Sequence, residues 1–122
     1  MLKDISVNKG ILVKIERDPL SGLTREEYKD LLEKKLKGRV VEAYIFGSFN
    51  TPDFNRFSDI DLLLVSDTTK PFVERGLDYS DILDIIPATD ILVYTPAEFR
   101  KIMSEEPAGF WKSVKGSMVR II

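Results

Sequence analysis

Asp59 and Asp61 stand two residues apart around Ile60, at the head of the apolar run Leu62-Leu63-Leu64-Val65. On a strand, that spacing puts both carboxylates on one face and Ile60 and Leu62 on the other. At roughly 5 Å apart, with an effective dielectric near 20, the two charges repel by on the order of 3 kcal/mol. A divalent cation converts that repulsion into chelation, and a third carboxylate would complete a metal site. Asp90 opens the apolar run Ile91-Leu92-Val93-Tyr94 in the same way, and it reaches the pair if the two runs are neighbouring strands. Each aspartate also has a plain reading, as a turn end or a solvated strand start, so the spacing alone leaves both open. Asp78, Asp81 and Asp84 recur every three residues and read as an exposed helix face. Asp53 and Asn55 begin a calcium-loop pattern, but Phe57 and Ser58 stand where its next ligand and turn glycine belong.

Gly47-Ser48 follows a second β-rich run, Val40 to Phe46. Glycine lets backbone approach a ligand closely, and a serine hydroxyl or a free amide can hold a phosphate oxygen. A Gly-Ser pair by itself is an ordinary turn. The order strand, Gly-Ser, ten residues, Asp-x-Asp on a strand, then a later Asp-initiated strand carries more information than any single piece.

Composition limits the chemistry further. The 122 residues are 43% hydrophobic and 31% charged, enough for one domain, residues 1–122, with its own core. Cysteine and histidine are both absent, which excludes disulfides, Ser-His-Asp triads and Cys/His zinc sites. Catalysis is left to carboxylates, hydroxyls, Lys, Arg or Tyr, with a hard cation that prefers oxygen. The formal net charge of -2 gives no expectation of strong duplex nucleic-acid binding. Charge is unevenly spread: residues 1–40 carry ten basic and seven acidic side chains, 41–99 three and eleven, and 100–122 five and two. The acidic middle reads as a solvated face or as a cation site between basic walls. No apolar run approaches the roughly 18 residues of a membrane span, and nothing at the N-terminus reads as a targeting segment, so the expectation is a cytoplasmic protein without membrane contact.

The elements follow from periodicity and caps. Residues 11–16 fit a strand or a helical turn equally well. Thr24 and Glu27 form a capping-box pair, and Tyr28, Leu31, Leu32 and Leu36 recur at helical spacing up to Gly38, predicting a helix over 25–37. Residues 40–46, 59–65 and 90–94 read as buried strands. Residues 71–86 carry a helical pattern loosened by Gly76. Thr95-Pro96-Ala97-Glu98 opens a helix that Pro107 closes, Phe110, Trp111 and Val114 mark another before Gly116, and residues 118–122 could add a last strand. The expected fold is α+β with α/β-like features: a mixed sheet of about four strands flanked by helices.

Gly47-Ser48, followed by Ser58-Asp59-Ile60-Asp61-Leu62-Leu63-Leu64-Val65, resembles the motif of the polymerase-β-type nucleotidyltransferase superfamily, above all its minimal nucleotidyltransferase (MNT) members. Thr89-Asp90-Ile91-Leu92-Val93-Tyr94-Thr95-Pro96 resembles the strand and helix start that carry the third carboxylate there. The resemblance covers residues 25–122 and implies the nucleotidyltransferase fold. It implies Mg²⁺-dependent transfer of a nucleoside monophosphate, AMP in first place, from a nucleoside triphosphate to an acceptor hydroxyl. In that scheme Asp59, Asp61 and Asp90 are the catalytic, metal-holding residues. Gly47 and Ser48 grip phosphates, with Arg56 or Lys70 compensating for a departure: many minimal members continue Gly-Ser-x-Ala-Arg-Gly, whereas Thr51-Pro52 stands here in place of Arg-Gly. That departure also leaves open a weakly active or inactive binding module, an antitoxin-like partner of a HEPN-type protein, which could itself be the acceptor. Self-association and the role of residues 1–22 stay open.

Overall fold

The computed structural model describes residues 18–122 and, before them, only the backbone of two antiparallel strands, β1 (Ser6–Asn8) and β2 (Ile11–Val13). The segment 11–16 therefore begins as strand, and its residues 14–16 lie outside the described part. Helix α1 (Arg25–Leu36) starts where its capping residues predict: Thr24 Oγ1 accepts the Glu27 N–H at 3.1 Å, and Glu27 Oε1 accepts the Thr24 N–H at 2.9 Å. The chain continues through β3 (Glu42–Phe46), a 3-10 turn over Gly47–Asn50, β4 (Ile60–Val65) and α2 (Phe72–Arg75). A second 3-10 turn, Gly76–Tyr79, leads into α3 (Ser80–Ile85), β5 (Thr89–Tyr94), α4 (Pro96–Ser104), α5 (Gly109–Ser117) and β6 (Val119–Arg120).

Among the boundaries that depart from expectation, three have a local reason. The helical pattern over 71–86 is split into α2, a 3-10 turn and α3, with the change beginning at Gly76, where helix propensity is lowest. Strand β4 begins at Ile60, so Asp59 lies just before it. The preceding residues are held in a turn, with the Phe57 N–H on Asn55 Oδ1 at 2.8 Å and the Asn55 N–H on Ser58 Oγ at 3.1 Å. Helix α5 runs through Gly116 to Ser117, whose hydroxyl donates back to the Ser113 carbonyl at 2.9 Å.

The sheet is mixed, in the order β5-β4-β3-β6: β3 runs antiparallel to β4 and β6, and β4 and β5 are parallel. Strand alternation sorts its side chains onto two covered faces. Ala43, Ile45, Ile60, Leu62, Leu64 and Val93 pack against Tyr28, Leu32 and Leu36 of α1 and Ile82 and Ile86 at α3. Phe46, Leu63 and Val65 pack against Phe99 of α4 and Val114 of α5. Covering both faces explains why β4 reads as continuously apolar after Asp61.

Arg75, buried beside β5, ties α2 to the start of α4. It donates to Glu98 Oε1 at 2.6 Å, to the Val93 carbonyl at 3.2 Å and, through Nε, to the Lys70 carbonyl at 2.9 Å. Glu98 also closes the α4 capping box with Thr95, so its pKa is lowered, first by the Arg75 hydrogen bond and then by the backbone one. Replacing Thr95 by Ala removes the side-chain acceptor at that cap. It should cost about 1 kcal/mol in a urea titration, with an unchanged m-value.

Candidate active site

The parallel pairing of β4 and β5 sets Asp61 directly beside Asp90, just as Ile60 lies beside Thr89 and Leu62 beside Ile91. Neighbouring strands are about 4.8 Å apart, so two carboxylates meet on one sheet face. It is the face that carries Leu63, Val65, Leu92 and Tyr94 deeper in, under α4 and α5. On the other side of Asp61 is Phe46, its antiparallel partner at the end of β3. The next residue, Gly47, breaks the strand.

Gly47 has φ +78°, a left-handed conformation that favours glycine. A Cβ on it would fall well under 3.0 Å from Asp61 Oδ2, so the carboxylate occupies the space that the missing side chain leaves. The Gly47 N–H donates to Ser117 Oγ at 2.9 Å, and Asn50 Nδ2 donates to the Ile45 carbonyl at 2.9 Å and the Ser117 carbonyl at 3.0 Å. These bonds fix the 3-10 turn between the end of β3 and the end of α5. Ser48 is half-buried on this turn, and its carbonyl accepts from the Thr51 N–H and hydroxyl, both at 2.9 Å.

Asp61 carries the electrostatic mark of this crowding. Its pKa is raised, first by burial, then by the charge of Asp90, then by that of Asp59. Asp90 and Asp59 are thus both within electrostatic reach of Asp61. The donors are all oxygen, which suits a hard cation such as Mg²⁺, and the repulsion is of the kind such an ion relieves. Among the described residues, no three acidic, histidine or cysteine side chains are gathered tightly enough to enclose an ion as they stand. Asp61 and Asp90 stand side by side across the strands, and Asp59 adds its charge to theirs.

Beyond this geometry, the sequence model of the nucleotidyltransferase domain matches residues 25–119, most of the chain. The chain belongs to this nucleotidyltransferase family. It is also 35% identical over 48 residues to a protein of Methanocaldococcus jannaschii named "Putative protein adenylyltransferase". That match covers 39% of this chain and 48% of the relative, about half its length. A crystal structure described as that of "a putative nucleotidyltransferase" from Sulfolobus solfataricus is 26% identical, covering 63% of this chain and 71% of that one, with a TM-score of 0.48.

Several of the other acidic and basic groups singled out in the sequence have partners of their own. Asp81 pairs with Arg39 at 2.9 Å, and Asp78 with Lys70 at 2.5 Å, so two of the three helix-face aspartates serve surface ion pairs. Lys70 is therefore engaged away from the carboxylates. Arg56 lies over the ring of Phe57, its Cζ 5.0 Å from the centroid, on the connection that leads to Asp59. Three residues have roles that escaped the sequence analysis, which read Tyr28 only as a position of the first helix. Asn50 and Ser117 hold the glycine turn, and Tyr28 hydrogen-bonds Thr89 Oγ1 at 3.2 Å, next to Asp90, with burial pushing its phenol up to about 12. Nothing in local pattern reveals them, because Tyr28 and Thr89 are 61 residues apart and Gly47 and Ser117 are 70 apart. Among the described residues, no helix is long and apolar enough to cross a membrane.

Proposed function

We propose that this nucleotidyltransferase carries out metal-dependent transfer of a nucleoside monophosphate from a nucleoside triphosphate to a hydroxyl group. The observation that carries this reading is the side-by-side placement of Asp61 and Asp90 against the Gly47 turn. Asp61 and Asp90 would hold Mg²⁺, with Asp59 adding charge at the edge of the site. The ion, when bound, neutralises phosphate charge and activates the reacting oxygens, which is why no histidine base is required. The chain's own part is to position. Gly47 leaves the room that the Asp61 carboxylate occupies, Ser48 offers a hydroxyl to the phosphates on the same turn, and Asn50 and Ser117 tie that turn down. The name of the Methanocaldococcus relative supports AMP as the transferred group and a protein as the acceptor.

Calorimetry with ATP, GTP, CTP and UTP, each with and without Mg²⁺, tests this directly. The expected result is saturable binding of at least one triphosphate that EDTA abolishes. Absence of binding by all four in the presence of Mg²⁺ would overturn it. A second reading, a module whose main role is to bind a partner such as a HEPN-type protein, is favoured by the exposed apolar side chains Phe72, Val73 and Leu77. It predicts that a Val73→Asp, Leu77→Asp double variant loses a co-purifying partner while triphosphate binding is unchanged.

A further inference from the structure

Phe46, Asp61 and Asp90 form one row across β3, β4 and β5, because Phe46 pairs with Asp61 and Asp61 with Asp90. Directly paired residues point to the same side of a sheet, so the Phe46 ring stands on the carboxylate face, with its Cα about 5 Å from that of Asp61. Helix α5, which covers this face, brings a second ring to the row. Phe110, near the start of α5, packs edge-on against Phe46, with centroids 6.1 Å apart and planes at 88°. Its other ring neighbour, Trp111, is also edge-on, at 5.2 Å and 78°.

The core does not use this ring up. Val114 of the same helix is buried with Phe46, Leu63 and Val65, whereas Phe110 is 55% exposed. Two other exposed aromatic rings are placed differently. Phe72 packs on Tyr94, at the opposite end of β5 from Asp90, and Phe57 carries the Arg56 guanidinium over its ring. Phe110 is therefore an open aromatic surface one ring away from the carboxylate row.

Resting on the nucleotide reading above, we infer that Phe110 stacks on the nucleobase of the triphosphate and so positions the nucleotide against Asp61 and Asp90. A nucleotide has two chemically unlike ends. The phosphates suit a site of oxygen donors and a hard cation, whereas the base presents a flat π face that an aromatic side chain holds without reading its edge. Stacking on Phe110 would cover apolar surface that α5 leaves in water. The edge contacts with Phe46 and Trp111 already restrict the ring, so little side-chain freedom is lost when the base arrives.

The test is calorimetry with two probes, Mg²⁺-ATP and Mg²⁺ with inorganic tripolyphosphate, on wild type, Phe110→Ala and Phe110→Tyr, with a thermal melt of each. Phe110→Ala is expected to weaken ATP by about tenfold and tripolyphosphate by less than about twofold. Phe110→Tyr, which keeps the ring, should stay within about threefold of wild type for both. Trp111 is the one tryptophan of the chain and touches Phe110, so its emission gives a second readout. In wild type, ATP should change that emission and tripolyphosphate should leave it as it is. Wild type that binds no ATP would overturn the nucleotide reading and this inference together. ATP binding that is unchanged in Phe110→Ala would overturn the inference alone. So would an equal loss for both probes, because the ring would then only support Phe46 and the carboxylate row. If Phe110→Ala does not fold, the emission decides, and an ATP response no different from that of tripolyphosphate would overturn the inference.

Discussion

Replacing Asp61 by Asn is expected to reduce nucleotidyl transfer by about 10³-fold or more, roughly 4 kcal/mol of transition-state stabilisation, while making the folded protein more stable. The two effects have one cause. In the folded state the Asp61 carboxyl is pushed above its ordinary value of 3.8 by burial and by the charges of Asp90 and Asp59. The folded protein therefore binds that proton more tightly than the unfolded chain does. Stability from this group is present below the ordinary value and is lost as pH rises through the raised one. Asparagine keeps the shape and removes the charge. In chelator at neutral pH the variant should melt above wild type, with the gap closing as the pH falls below about 4. Radiolabel transfer and scanning calorimetry at several pH values check both halves. A variant that is both inactive and less stable would show that Asp61 is a structural residue instead.

Gly47→Ala is expected to destabilise the protein by about 2 kcal/mol or more and to cut transfer by about 10²-fold. The backbone share comes from the left-handed φ, and the remainder from the collision between the new methyl and the Asp61 carboxylate. Gly38 separates the two, because its φ of +81° matches the +78° of Gly47 while nothing lies within 4 Å of where its Cβ would be. Gly38→Ala should therefore show the backbone penalty alone, about 1 kcal/mol, with activity intact. Urea denaturation of both variants, with parallel activity assays, gives the comparison. Equal losses of activity at the two positions would remove the special status of the Gly47 contact.

The parts of this molecule that local pattern could reveal are those whose physics is local. Thr24 with Glu27, and Thr95 with Glu98, announce helix starts because a capping box closes within four residues. The apolar runs after Asp61 and Asp90 announce strands covered on both faces, and with them the ends at which the aspartates sit. Gly76 marks where a helical stretch loosens, though not that it becomes a 3-10 turn between two short helices. What local pattern could not supply is register. That Asp61 lies beside Asp90 depends on β4 and β5 being parallel neighbours, a fact set by how α2 and α3 cross back over the sheet. The glycine turn is a sharper case: Asn50 and Ser117 hold it across 67 residues, a link that only the docking of α5 brings about.

The bond between the Gly47 N–H and Ser117 Oγ has a kinetic meaning. It joins residues 70 positions apart, and Asn50 adds a second link to the same serine across 67. Closing so long a loop is entropically expensive until the intervening elements have condensed. The hairpin-like pairing of β3 with β4 and the crossover to β5 can therefore assemble the carboxylates first, and the glycine turn is locked afterwards, when α5 docks. Refolding followed by tryptophan fluorescence, which reports Trp111 on α5, and by recovery of nucleotide binding should show the two signals rising together, both later than the far-ultraviolet signal of the sheet.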